Sequence, residues 1–404
     1  MTDFAHLDDT KVDQIMLANA RWPAFAAEHS DAINSTIGVL VDHKTLHPWR
    51  PTSVVSARKA ALEEIDKKES YGYLTQHGYM EYLDEAVDFA LGKRLGMESA
   101  DILRFESLGG TGALSLAKDI LVNLLQTKHD SNIPVLLDSG WPNHPAIFTE
   151  PFRIITYPHV DSQTGLYNHK AFMDAFRKMP SGCLVILQAC AYNDDGSERN
   201  QKEWDEIIEL AVIKKAVLLL DSAYLGLAAG LEFDRYPIQT AIEAGLLTLV
   251  CLSFSKNMGL YNERLGALLI ANSKKILGET QAKNLDQLAM RIVRRTISSQ
   301  PLLSAYAAAK VLANPAYYVE LEFARSLLNI NREIIGSVLK MRMPHVLVGR
   351  GLFTKLFMQG FSSVQITYLE SKGVLVLPNS RLNLGGMNKA QAERLANVLH
   401  DLPE

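Results

Sequence analysis

Apolar and polar positions along the middle of the chain switch repeatedly between two periods. Between positions 112 and 126, apolar residues recur as Leu114, Leu116, Ile120, Leu121, Leu124 and Leu125, the three-to-four spacing of a helix. Short, mostly apolar runs predict strands at Val135-Leu136-Leu137, Arg153–Tyr157, Cys183–Gln188, Ala216–Leu220 and Leu247–Phe254. Helical spacing returns between them at His169–Lys178 and Gln201–Lys215. Strands apolar on both faces, separated by helices, predict an α/β fold with a mainly parallel sheet covered by helices.

From Asn284 to about Arg342 the pattern is mainly helical, with a long stretch over Val319–Lys340. A smaller α+β module follows, with strands at Leu352–Met358 and Val374–Leu377 and a helix at Lys389–His400. The first forty-odd residues have no place in the sheet. The expected division is a large domain over 46–310 and a small domain made of 1–45 with 311–404.

Composition changes this picture little. At 404 residues and 48% hydrophobic, the chain exceeds what one core accommodates, so two domains are expected. A formal net charge of −4 gives no electrostatic footprint for nucleic acid. The longest apolar runs, such as Leu246–Leu252, are strand-sized and too short to span a bilayer. The first residues are acidic and lack a basic-then-apolar leader, so a cytoplasmic protein is expected. Cys183, Cys190 and Cys251 sit in apolar stretches and read as buried free thiols.

Candidate chemistry gathers where parallel strands end, which is where α/β sheets place their ligands. Lys256, in Ser253-Phe254-Ser255-Lys256-Asn257, follows an apolar strand; desolvation there would give the neutral amine of Schiff-base chemistry. The same Ser253-x-x-Lys256 spacing fits a serine acylase, but the accompanying elements are missing. Gly109-Gly110-Thr111-Gly112 opens a helix and offers an anion site. Ser115 stands where a dinucleotide fingerprint wants glycine, and no P-loop lysine is present, so a single phosphate monoester fits best. Asp221, in Asp221-Ser222-Ala223-Tyr224, is open between a helix cap and a partner for a cofactor's ring nitrogen. Trp141 is open between core and ring stacking, and Asn193 between a turn and a hydrogen-bond donor. Arg264, Arg294 and Arg381 are candidate forks for carboxylate or phosphate.

These segments, with Gln188-Ala189-Cys190-Ala191-Tyr192-Asn193 and the run Ser253 to Arg264, resemble the aspartate/aromatic aminotransferases of the type I pyridoxal-phosphate fold. The resemblance extends from about Gly38 to Arg381 and the terminal helix. It implies that Lys256 carries pyridoxal 5'-phosphate and shuttles a proton, with Asp221 on the ring nitrogen and His144 supporting it. It further implies Tyr224 and Asn193 at the ring hydroxyl, Trp141 stacked on the ring, and Gly110, Thr111, Ser253 and Arg264 around the phosphate. Tyr73 resembles a residue reaching a neighbouring subunit's phosphate, and Arg381 the clamp for the substrate α-carboxylate beside Gly38, Trp141 and Asn193. Arg294 resembles the reader of a distal carboxylate across the interface, so a homodimer with shared sites is implied.

The chain departs from the family in three places. Tyr192-Asn193-Asp194-Asp195-Gly196 stands where His-Asn-Pro-Thr-Gly is usual, Gly72 replaces a side-chain amide, and Arg295 competes with Arg294. The expected reaction is transfer of an amino group from aspartate to 2-oxoglutarate, with tyrosine or phenylalanine transamination as the alternative. Decarboxylation or elimination on the same fold, a cofactor-free relative and a nicotinamide dehydrogenase are the weaker readings.

Overall fold

The computed structural model describes residues 14–68, 71–92, 102–125, 132–138 and 140–403. Its strands in chain order are β1 (Ile33–Asn34), β2 (Leu103–Leu108), β3 (Ile133–Leu137), β4 (Phe152–Ile155), β5 (Leu184–Gln188), β6 (Val217–Ser222), β7 (Thr248–Ser253), β8 (Leu265–Ala271), β9 (Phe353–Lys355), β10 (Val374–Leu375) and β11 (Arg381–Asn383). Seven of them form one sheet in the order β2-β8-β7-β6-β5-β3-β4. Every pairing is parallel except those of β8, which runs antiparallel to both β2 and β7. The sheet is therefore mainly parallel with one reversed strand.

Successive strand residues point to opposite faces, and each face carries its own core. Leu136, Val185, Leu187, Leu218, Leu220, Val250 and Leu252 pack into one cluster. Val135, Leu137, Leu184, Ile186, Leu219, Leu249 and Cys251 pack into the other. This is why the strands read as mostly apolar runs. All three cysteines are buried free thiols. Among the described residues no helix is long and apolar enough to cross a membrane.

The predicted helices His169–Lys178 and Lys389–His400 form with those bounds, each opened by an asparagine whose side chain accepts from the first turn. The long helix runs Pro315–Leu339. Its first half packs Tyr317, Leu321 and Leu328 into the core beside the sheet, and its second half packs Ile335 and Leu339 into a separate cluster with Ile33, Val374 and Leu395. Residues 33–34 pair in parallel with 374–375, tying the start of the chain to its end. The strand expected over Leu352–Met358 shrinks to β9, because Leu356 turns into that separate cluster instead of continuing the ladder. Gln126, expected to end a helix, and residues 1–13 of the expected small domain lie outside the described residues.

Arg332, fully buried on the long helix, fixes the approach to β9. Its guanidinium donates to the carbonyls of Val346, Arg350, Gly351 and Phe353 at 2.7–3.1 Å. A buried guanidinium whose two terminal nitrogens are held by four carbonyls is costly to disturb, so the segment before β9 is held firmly.

Candidate active site

The sheet topology brings separate segments to one edge. β3, β5, β6 and β7 are parallel, so their carboxyl ends lie together. Trp141 follows β3, Asn193 follows β5, Asp221 lies near the end of β6, and Ser253 ends β7 three residues before Lys256. β8 runs the other way, so its start reaches the same edge, and Arg264 immediately precedes it. β2 points its end here as well and passes directly into the helix Gly109–Leu125, whose first turn holds Gly110 and Thr111. Of the expected site residues, Gly38, Gly110, Thr111, Trp141, Asn193, Asp221, Tyr224, Ser253, Lys256, Arg264 and Arg381 line one cavity of about 190 Å³.

One end of that cavity is built for an anion. The helix start presents backbone N–H groups, and Arg264 lies across it, donating to Ser255 Oγ at 3.1 Å and to the Tyr261 carbonyl at 3.0 Å. Gly109 has φ 70°, and a Cβ there would fall 2.5 Å from Arg264 Nη2. Glycine is required both by the left-handed backbone and by the guanidinium.

The opposite end carries the carboxylate. Asp221 Oδ2 is 2.9 Å from Nε2 of fully buried His144, and Oδ1 accepts from the Ala223 N–H at 3.2 Å. Trp141 meets the His144 ring edge-on, with centroids 5.0 Å apart, so its orientation is coupled to the support of Asp221. Lys256 lies between the two ends, its Nζ 5.4 Å from the Tyr224 ring centroid. Desolvation pulls its amine down to about 8; the Asp221 carboxylate opposes that shift, and the Arg264 and Arg381 charges reinforce it. Burial pushes the Tyr224 hydroxyl above its ordinary range, and that oxygen accepts from Asn193 Nδ2 at 3.1 Å.

Arg381 closes the cavity from β11, which pairs antiparallel with β9. Its Nη1 donates to Asn193 Oδ1 at 3.0 Å and its Nη2 to the Thr36 carbonyl at 2.8 Å. The guanidinium sits 4.4 Å from the Phe353 ring centroid. A Cβ on Gly38 would lie 2.9 Å from Phe353 Cζ, so glycine lets that chain segment close over the ring.

Two expected residues lie elsewhere. Tyr73 is 91% exposed, and Arg294 is exposed on the helix Glu279–Thr296, bonded to Ser298 Oγ. Arg295, its competitor, reaches Asp119 at 3.3 Å. Neither Tyr73 nor Arg294 lines the cavity within a single chain.

Sequence reasoning passed over six residues as part of the cavity: Ser255, Gln188, Phe353, Ile15, Leu114 and Ala223. Ser255 was discoverable as a hydroxyl next to Lys256. Gln188 ends β5 and braces the following loop, accepting from the Asn193 N–H at 2.9 Å. Phe353 and Ile15 carry no local signal, since their place depends on remote packing. The atypical loop is well held: Tyr192 stacks on His159 at 3.6 Å, and buried Asp195 accepts from the Ser197 N–H at 2.7 Å. Burial pushes the Asp195 carboxyl up to about 6.

Comparison with known proteins agrees with this geometry. The chain is 30% identical over 381 residues to the aromatic-amino-acid aminotransferase of Escherichia coli (strain K12), covering 91% of this chain and 92% of that protein. It is 25% identical over 412 residues to the cytoplasmic aspartate aminotransferase of Schizosaccharomyces pombe (strain 972), covering 98% and 97%. Its fold superposes on a crystal structure of aromatic-amino-acid aminotransferase from Burkholderia pseudomallei covalently bound to pyridoxal phosphate, with a TM-score of 0.88, 26% identity and full coverage of both chains. The family model for aminotransferase class I and II matches residues 45–399. With that match across most of its length, over the segments that build the cavity, this chain belongs to the aminotransferase class I and II family.

Proposed function

We propose that this enzyme transfers the amino group of aspartate, or a similar amino acid, to 2-oxoglutarate, with pyridoxal phosphate as its cofactor. The observation that carries the reading is the placement of Lys256 between a helix-start anion cradle and the His144-supported Asp221 in one cavity. That donor set fits the cofactor's chemistry: Gly110, Thr111, Ser253, Ser255 and Arg264 suit a phosphate, Asp221 a pyridine nitrogen, and the Lys256 amine an aldehyde carbon. When bound, pyridoxal phosphate supplies an electron sink for the carbanion left by loss of the α-proton.

The chain's own residues do the rest. A Lys256 amine drawn down to about 8 is neutral far more often near neutral pH than an ordinary lysine, so Nζ can take up the α-proton and later return it. His144 holds the Asp221 carboxylate in place, where it would favour a protonated ring nitrogen. Tyr224 and Asn193, bonded to each other, would hold the ring hydroxyl, and Trp141 would supply an aromatic face for the ring. Arg381 clamps the α-carboxylate; a charge-assisted bond of this kind contributes roughly 1.5–3 kcal/mol.

Tyr73 and Arg294 complete the proposal as residues that act on the partner subunit's cavity in a homodimer. Their exposure supports this, as does the apolar hollow beside Tyr73, lined by Leu62, Leu74, Leu108 and Leu303. A large domain over 46–310, a small one over 1–45 with 311–404, and a cytoplasmic location belong to the same reading. The separate cluster around Ile335 supports the division, and the buried free thiols support the location. Transamination of tyrosine or phenylalanine is the second reading, favoured by the 30% identity to an aromatic-amino-acid aminotransferase.

The test is the visible spectrum of the purified protein. A yellow band that bleaches with aspartate and returns with 2-oxoglutarate is expected, and repeating it with tyrosine ranks the donors. A protein that stays colourless after incubation with pyridoxal phosphate would overturn the proposal.

A further inference from the structure

Arg381 has a cross-strand partner, and that partner is charged. In the β9–β11 ladder Arg381 lies directly opposite Lys355. Residues opposed in an antiparallel pair share a face, so two cations project together toward the loop that carries Asn193. Arg381 meets Asn193, and Lys355 meets the very next residue, with Nζ 2.7 Å from Asp194 Oδ2. The other oxygen of Asp194 accepts from Asn379 Nδ2 at 3.4 Å, and the Asn379 side chain accepts from the Arg381 backbone N–H at 3.1 Å. One carboxylate thus holds both strands of the ladder that presents Arg381.

We propose that Asp194 and Lys355 are positioning residues that set the Arg381 guanidinium in place for a substrate carboxylate before the substrate arrives. The inference rests on the reading of Arg381 as the carboxylate clamp. Asp194 belongs to the loop where this chain departs from its family's usual sequence, so the device is a property of this chain. The ion pair is mostly shielded, with side-chain exposures of 19% and 16%. Removing one partner of such a pair leaves an uncompensated charge. Without Asp194, the Lys355 ammonium loses its ion-pair partner beside Arg381, and the neighbouring Asp195 carboxylate offsets its charge only in part, so it pushes against the guanidinium. Arg381 must then be ordered at each binding event, which weakens affinity for any ligand carrying a carboxylate there.

The test measures binding as well as turnover. Calorimetry with 3-phenylpropionate, which has one carboxylate and no amino group, isolates the Arg381 contact. Asp194→Ala and Lys355→Gln should each weaken its binding about tenfold, the equivalent of one logarithmic unit in Kd. The KM for both aspartate and 2-oxoglutarate should rise by a similar factor, while kcat changes by less than about twofold. The charge-reversed pair, Asp194→Lys with Lys355→Asp, should recover most of the affinity, and it covers the case in which one single variant fails to fold. Variants that bind the probe as tightly as the parent protein while melting at a lower temperature would reduce the pair to a structural role and overturn the inference. A parent protein that binds the probe but does not exchange amino groups would instead overturn the reaction assigned above and leave the clamp standing.

Discussion

The cavity edge of the sheet and the face around Tyr73 differ in how complete they are within one chain. At the edge, polar side chains meet other side chains: Asp221 has His144, Arg381 has Asn193, and Arg264 has Ser255. At the Tyr73 face, the tyrosine is 91% exposed beside an apolar hollow, and exposed Arg294 bonds, among the described residues, to a serine four residues on. A region finished by internal contacts can be read from one chain; a region left open is finished by something else. The proposed homodimer explains the difference, and four experiments test it.

The largest effect belongs to the finished edge. Lys256→Ala should lower transamination about 10⁴-fold, the upper range for loss of a proton-transfer group, while far-ultraviolet circular dichroism stays unchanged. Retained activity would mean that another base serves the cavity.

The open face comes next. Arg294→Ala should reduce kcat/KM for aspartate by roughly 1.5–3 kcal/mol, the contribution of a charge-assisted bond, and spare tyrosine. Arg295→Ala should do neither, because that side chain faces Asp119 within its own chain. Steady-state kinetics on both donors decide the matter, and the opposite ranking would exchange the two arginines. Tyr73→Phe should weaken cofactor retention about tenfold, the loss of a single hydrogen bond to a charged group. Equilibrium dialysis measures it, and unchanged retention would detach Tyr73 from the site.

The smallest effect is on stability of the cofactor-free protein. The Lys256 amine titrates near 8 when folded, below its ordinary 10.5. Between those values the unfolded chain holds a proton that the folded chain has lost, so Lys256 makes folding more favourable as pH rises from 8 to 10.5. Lys256→Met should remove that rise and should be the more stable protein below pH 8. Differential scanning calorimetry of the two proteins from pH 7 to 10 gives the comparison; parallel curves would show an amine in its ordinary range.

Much of this arrangement was legible in the chain itself, and the rest depended on distance. Strands β5, β6 and β7 announced themselves because both faces are buried, and the residues after them could be flagged from position alone. Strands β2 and β8 went unassigned. β2 carries Arg104 and Glu106 within its six residues, which breaks the apolar run. The reversed direction of β8 arises from pairing and leaves no trace in periodicity. The Asp194-Asp195 departure was visible as a change of charge, yet its meaning lay in Lys355, 161 residues away. Phe353 and Ile15 were missed for the same reason, since nothing nearby marks them.

The reversed strand also bears on how the site assembles as the chain folds. Only eleven residues separate β7 from β8, and Lys256 and Arg264 both lie among them. Closing that loop is entropically mild, since the cost grows with the logarithm of length. The Asp221–His144 and Arg381–Asn193 contacts span 77 and 188 residues. Non-local contacts of this kind form late and slow folding. The lysine and the anion cradle's arginine are therefore expected to find each other before the carboxylate and the clamp arrive, making this corner the nucleus around which the cavity is completed.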